Sequence, residues 1–600
     1  MGIIDIVVFV AFIVAVLFVG LYKSKGEDTH GDEGAADYFL AGRGLSWWLI
    51  GFSLIAANIS AEQFVGMSGQ GAGLYGLSVA SWEWIAAITL VVVAFALLPY
   101  FLKTGITTIP EFLEMRYNHW ARLFMTLSMM LILIGVSLIG VIYAGALTLK
   151  ELMVSYNVNL SLAGSCWALG IMAAIYVAIG GLKACAWADL LQGSALIIGG
   201  GIITYFAFDA LAVTPVAELV SSTGAAATVD QSVGVIEKFN ALNEPTMHMG
   251  SNPTMPWGIL IIGIWIPNFY YWGLNQYITQ RVLGSASLAE GQKGLVLAAS
   301  LKLLIPFFIV IPGIIAFNLY SKDMEKSAGD QLAAYEQATN NPETIKVFEI
   351  EDRWKVGNPE KAAEIDAYNA AVVERVGADS VETVAIHPYK YDSALGLLIT
   401  RLIPQNKGVL GFVIAALLGA IVSSLAAVLN AASTLLTMDV YGRYIAKGAS
   451  QFKLVTMGRV FIAVFVVLGC VLAPMLQNNK SIFEFIQQFQ GFVSTGILAV
   501  FIYGLFNRTS GKWAGVIGLV ANPIIYGVLI TVYPEMHYLY SMSWSLGAVL
   551  AILLVYGMIW KQEKVVFAHN TTMDLSMSKG ALISGLIVCA MTVALYVIFW

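Results

Sequence analysis

The chain has 600 residues, 58% of them hydrophobic and only 12% charged. A soluble domain carries about 25% charged residues, so this chain has too little polar surface to coat a water-exposed globule, and that class is excluded. The net charge of −6 says little, because in a membrane chain the placement of charges matters more than their sum; no nucleic-acid partner is expected.

Apolar windows of about 20 residues, each able to cross a hydrocarbon core about 30 Å thick, predict fourteen spans. They lie at 2–22, 46–67, 78–102, 122–149, 160–180, 187–211, 255–279, 295–320, 407–437, 455–476, 482–506, 513–533, 540–560 and 580–600. The expectation is an all-α polytopic protein of the cell membrane. The first span lacks a basic flank and carries Asp5, so it is expected to be retained and not cleaved as a signal peptide. In the second, SLIAANISAEQFVGMSGQGAG places Asn58, Ser60, Glu62 and Gln63 in mid-span before a glycine-rich exit. The third holds Glu83 among apolar and aromatic neighbours; a buried carboxylate needs a cation, donors or a proton. Asp189 opens the sixth.

The seventh span, WIPNFYYWGLNQYITQR, has Pro267 followed by Asn268, Tyr271, Trp272 and Asn275. Their i, i+3, i+4, i+7 spacing sets amides and rings on one helical face. Such a face suits a sugar, with rings stacked on the apolar side of a pyranose and amides paired to hydroxyls; it equally suits plain packing. In the eighth, Lys302 is the one basic residue left after the loops are counted. It costs about 2.5–3.5 kcal/mol in mid-membrane unless it meets water or a partner, or it snorkels to an interface. The ninth repeats the same rhythm with Ala420, Ser423, Ser424 and Ala427. Two hydroxyls beside small residues offer oxygen to a hard cation, and they also make a close-packing seam.

Loops after odd-numbered spans hold eighteen lysines and arginines, against Lys150 and Lys480 alone in the short loops after even-numbered ones. The positive-inside rule then puts both termini outside. Two long external segments follow, 212–254 and 321–406; the second, mixed in charge, is expected to form solvated amphipathic helices without chemistry. Four scattered cysteines (Cys166, Cys185, Cys470, Cys589) give no disulfide or metal-ligand spacing, and all six histidines fall in loops or near helix ends.

The second and seventh spans are five apart, and each is interrupted by polar residues with Gly or Pro. Paired broken helices point to a transporter's central site, and the odd offset makes them enter from opposite faces, as an inverted repeat requires. The expected organisation is a LeuT-like five-plus-five inverted-repeat core with discontinuous helices 2 and 7. Its parts are 1–45 (peripheral first helix and cytoplasmic loop), 46–211 (first repeat), 212–254 (external loop), 255–506 (second repeat, including the 321–406 insertion) and 507–600 (peripheral helices).

The stretches DYFLAGRGLSWWLIGFSLIAANISAEQFVGMSG, TTIPEFLEMRY, AIGGLKACAWADLLQ, YYWGLNQYITQR, AALLGAIVSSLAAVLNAAST and TMDVY follow one another in this order. With them the chain resembles the sodium/solute symporter family, and within it the bacterial type of the sodium/glucose (galactose) cotransporter branch. The resemblance implies that Gln63, Glu83, Asn268, Lys302 and Gln487 bond sugar hydroxyls. It implies that Asn58 and Tyr271 close the site on its inner side, Tyr271 stacking on the sugar. Met67, Trp272 and Phe483 match pocket-lining and outer-gate positions, and Trp82, Tyr270 and Asn275 are expected beside them. No cofactor is implied; sodium, the coupling ion, would be held by the hydroxyls of Ser423 and Ser424 and the backbone oxygens of Ala56, Ile59 and Ala420, with Asp189 on its exit route. Trp82, Ala86, Ser137 and Ala427 stand where a galactose-type relative has tyrosine, serine, asparagine and serine. Three of these four changes remove or shorten a hydrogen-bonding group, which leaves the particular sugar open. The implied activity is sodium-driven import of a hexose by alternating access, not enzymatic chemistry; within the same family, symport of myo-inositol or sialic acid is the rival.

Overall fold

Backbone groups that face lipid have no water to bond, so spanning segments close their hydrogen bonds internally as helices. The computed structural model describes residues 2–25, 31, 34–154, 160–250, 252–329, 332–341, 343–478, 482–569 and 573–600. Among these, eleven helices are long and apolar enough to cross a membrane, and a bent pair makes a twelfth.

Helix α1 (Ile3–Ser24) is anchored by Asp5, whose buried carboxylate accepts the backbone N–H groups of Asn406 (2.6 Å) and Gly408 (2.8 Å). Helices α2 (Trp47–Asn58) and α3 (Ala61–Ala72) are the bent pair, their axes 62° apart. Between them Ile59 (ψ 89°) and Ser60 (ψ −179°) leave helical space. Helix α4 (Ser81–Val92) follows.

Helix α5 (Leu162–Val213) runs 52 residues, about 78 Å if straight and far beyond one bilayer crossing. It turns at Gly181, whose φ of 52° and ψ of −149° only glycine adopts freely. A Cβ there would lie 2.3 Å from the Tyr38 carbonyl oxygen, while the Tyr38 hydroxyl donates to the Val177 carbonyl at 3.0 Å. Gly181→Ala should therefore destabilise the fold by about 1–3 kcal/mol from backbone strain alone, plus the cost of the clash, read as a lower unfolding midpoint in detergent.

Helices α6 (Trp265–Leu274) and α7 (Gln276–Leu283) are separated by Asn275 (ψ 124°). The sequence suggests an interruption at Pro267, but the helical stretch Ile259–Leu274 runs through it, with a π-helical turn at Ile259–Gly263 just before it. The chain instead leaves helical space at Asn275, whose side chain accepts from the Tyr277 N–H as the cap of α7.

Helix α8 (Leu288–Ala328) leads into the 321–406 insertion, which contains β1 (Lys346–Ile350), α9 (Asp352–Gly357) and β2 (Glu382–Ile386). The two strands pair in parallel from Lys346↔Glu382 to Ile350↔Ile386, a departure from the all-α expectation confined to this insertion. Helices α10 (Val409–Leu435), α11 (Ile482–Phe506) and α12 (Lys579–Phe599) complete the elements used below. In its most apolar window α10 is 94% buried, whereas α1 and α12 are 17% buried. Helix α10 is thus the central post, and α1 and α12 present their apolar side chains outward as a lipid-facing rim.

Candidate solute and cation site

The break after α2 brings the middle of the molecule together. A cavity of about 80 Å³ opens beside it, bounded by α2, α3, α4, α6, α8, α10 and α11. Lys302 on α8 is fully enclosed, so it does not snorkel. Its Nζ bonds Glu83 Oε2 on α4 and Asn58 Oδ1 at the end of α2, and it lies 4.9 Å from the Trp272 ring centre. Gln63 Nε2 donates to the other Glu83 oxygen at 3.0 Å. Asn58 Nδ2 donates to the Tyr271 hydroxyl at 2.9 Å, and the Tyr277 hydroxyl also meets Tyr271. The Asn268 amide turns back to the Ile264 carbonyl of the preceding turn at 2.9 Å.

One cavity wall thus joins Asn58, Gln63, Glu83, Asn268, Tyr271, Lys302 and Gln487, with Trp82 and Trp272 beside them. Other expected residues are elsewhere. Met67 and Tyr270 are buried in packing and do not line the cavity, because their positions on α3 and α6 face neighbouring helices. Asn275 serves as the α7 cap. The side chains of Phe483 and Glu62 lie outside the described residues. Sequence reasoning missed Tyr277, Ile486 and Gln490. Gln490 was discoverable, standing three residues after Gln487 on the same helical face; Tyr277 was not, since its approach depends on the break at Asn275.

Below the cavity, α10 meets the end of α2. The Ser424 hydroxyl donates to the Ala57 carbonyl at 2.9 Å, tying the two helices. The last turn of α2 exposes carbonyl oxygens that an unbroken helix would use internally, and the Ser424 hydroxyl meets one of them. Ser423 donates to Asp189 Oδ1 at 2.5 Å; Asp189 Oδ2 accepts from Ser53 (2.5 Å) and from Arg281 Nη2 (3.1 Å). Asp189 therefore bonds Ser423 of the serine pair, while Ser424 bonds α2. Among the described residues no group of three or more His, Cys, Asp or Glu side chains gathers as a metal centre.

Residues 38–348 and 368–520 match the family described as the Sodium:solute symporter family. The chain belongs to that family. This symporter-family member is a multi-pass membrane transporter and not an enzyme. It is similar to the Sodium/glucose cotransporter of Vibrio parahaemolyticus, 38% identical over 520 residues that cover 86% of this chain and 83% of that protein. It is 31% identical over 568 residues to the Uncharacterized symporter YidK of Escherichia coli (strain K12), covering 93% of this chain and 84% of that one. Its fold is similar to that of a solved Na+-coupled sialic acid symporter in a substrate-bound outward-open state, with a TM-score of 0.69 at 20% identity over 94% of this chain and 100% of the other.

Proposed function

We propose that this sodium:solute symporter imports an uncharged hexose, such as glucose or galactose, and that the cavity around Lys302 is its binding site. The observation that carries the reading is the pairing of Lys302 with Glu83 in a cavity otherwise lined by amides, hydroxyls and rings. The two charges cancel, which leaves a neutral lining rich in donors and acceptors. A carboxylate solute such as sialic acid needs an unmatched cation, and the one lysine is already matched. The similar Vibrio protein, named a sodium/glucose cotransporter, supports the same class. Gln63, Glu83, Asn268, Lys302 and Gln487 would bond hydroxyls, while Tyr271 would stack on the ring.

Sodium would sit between α10 and the end of α2, on the hydroxyls of Ser423 and Ser424 and the backbone oxygens of Ala56, Ile59 and Ala420. It would strengthen the joint that the Ser424–Ala57 bond already makes, and so favour the conformation that receives the solute. One positive charge moving inward through 100 mV yields about 2.3 kcal/mol, and a tenfold sodium gradient about 1.4 kcal/mol. Together they sustain a solute gradient of roughly 500-fold.

The topology we propose has fourteen crossings. The eleven long helices and the bent pair make twelve; the apolar stretch Ile259–Leu274, continued by α7, adds one, and the turn of α5 at Gly181 adds another. Segments 46–211 and 255–506 would be the inverted repeats, LeuT-like, with helices 2 and 7 discontinuous and both termini outside.

The test is uptake of labelled hexoses into proteoliposomes, with an inward sodium gradient or with potassium in its place, and with myo-inositol and sialic acid as competitors. Hexose uptake should require sodium, and sialic acid should not compete; sodium-independent uptake would overturn the coupling. Ser424→Ala should lower sodium-stimulated uptake at least about tenfold, the loss of about 1.4 kcal/mol expected from one cation-bound hydroxyl, with unchanged elution on size exclusion. Undiminished uptake would remove Ser424 from the cation site.

A further inference from the structure

The insertion between α8 and α10 does not merely sit in solvent. From α9, Arg353 points inward and is only 7% exposed. Its Nη1 donates to the Ala72 carbonyl at 2.6 Å and its Nη2 to the Gly73 carbonyl at 3.1 Å, where α3 ends and its last carbonyls lack partners within the helix. The guanidinium carbon lies 4.4 Å from the Phe317 ring centre on α8 and 5.9 Å from that of Tyr391. The Tyr391 hydroxyl donates in turn to Glu351 at 2.5 Å. Among the described residues no carboxylate lies within ion-pair distance of Arg353. Its charge is balanced by the negative end of the α3 dipole and by the two ring faces.

A second contact joins the same partners. A Cβ at Gly69 on α3 would meet Asp392 Cα at 3.0 Å and its backbone nitrogen at 3.1 Å, so the 391–393 turn of the insertion rests against that helix. Helix α3 also bears Gln63 near its cavity end, nine residues and about 14 Å from its outer end at Ala72. Tilting α3 away from the insertion would strip Arg353 of both acceptors and leave a buried charge uncompensated, which is costly. The helix either stays or takes the insertion with it.

We propose that Arg353 is a positioning residue for transport: it latches the external insertion onto the outer end of α3 and so sets how readily the outer side of the cavity opens. The proposal rests on the reading of helix 2 as discontinuous and takes α3, its outer half, to be the part that moves; it rests on no particular solute. The experiment uses the full chain in proteoliposomes with Gln70→Cys, at the outer end of α3 where Gln70 lines a small cavity with Tyr75, Trp82 and His537. Labelling by a membrane-impermeant thiol reagent is followed in time. The native cysteines Cys166, Cys185 and Cys470 are buried and Cys589 is half-buried, and the chain without Gln70→Cys supplies the background. Arg353→Ala should speed labelling about tenfold. Arg353→Lys, which keeps the charge but not the two-pronged geometry, should speed it less. Gly69→Ala, a wedge at the neighbouring contact, should act in the same direction, and it decides the matter if Arg353→Ala does not fold. Wild-type labelling rates in folded Arg353→Ala and Gly69→Ala proteins would overturn the latch. Labelling of the otherwise native Gln70→Cys protein that ignores sodium and every solute would overturn both the latch and the moving half-helix. Failure of hexose uptake with the latch effect intact would overturn only the solute.

Discussion

Lys302→Ala should reduce solute affinity by roughly 10- to 100-fold and sharply lower sodium-driven uptake. The lysine is fully enclosed and its ammonium joins Glu83, Asn58 and the face of Trp272. Removing it leaves Glu83 with the Gln63 amide at 3.0 Å. Breaking one side of a buried ion pair destabilises the fold by about 3–5 kcal/mol, while the bond the ammonium would make to a solute hydroxyl, about 1.5–3 kcal/mol for a charged donor, corresponds to roughly 10- to 100-fold in binding. The loss has two parts, separable by a second substitution. Lys302→Ala combined with Glu83→Gln removes the orphaned charge, so it should regain stability without regaining transport. Calorimetric titration of sodium-loaded protein with hexose, beside proteoliposome uptake, measures both. An unchanged affinity in the single variant would sink the cavity as the solute site.

Asp189→Ala should destabilise the protein by about 3–5 kcal/mol, through Arg281 and not through the lost carboxylate itself. Arg281 is 1% exposed. Without Asp189 its guanidinium keeps only Ser53 Oγ at 2.6 Å and the Tyr277 carbonyl at 2.5 Å, both uncharged. The same substitution frees the Ser423 hydroxyl, which Asp189 accepts at 2.5 Å, so any cation bound by the serine pair would lose its nearest carboxylate. The expected observations are a lowered unfolding midpoint in detergent and a higher sodium requirement in the fraction that folds. Adding Arg281→Met should recover most of the midpoint, because an apolar side chain of similar volume needs no counter-charge, while the sodium requirement stays high. A midpoint unchanged by Asp189→Ala would show that Arg281 finds compensation elsewhere.

Much of the site was legible before any coordinates, for one reason. In lipid a polar side chain is expensive, so each one in mid-span marks either a partner or a pathway. Glu83 and Lys302 stood out as lone charges, and the structure pairs them. Asn268, Tyr271 and Trp272 shared a helical face by spacing, and they do line one cavity. The signal fails where spacing stops describing geometry. Asn275 belonged to the same stripe on an ideal helix, but α6 ends there, which turns Asn275 into a cap and swings Tyr277 into the cavity. Met67 and Tyr270 are buried, and neither lines the cavity.

The amino-acid sequence by itself determined the membrane habit, the family and the identity of the costly polar residues, because hydropathy and local spacing are properties of the chain and need no partner. Only the tertiary structure decided which of those residues meet: Lys302 with Glu83, Ser423 with Asp189, Arg281 with Asp189, Arg353 with the end of α3. These pairs join residues 92 to 281 positions apart. No local pattern records such a separation, since what brings the partners together is the packing of helices around α10 and the breaks that expose backbone oxygen between them.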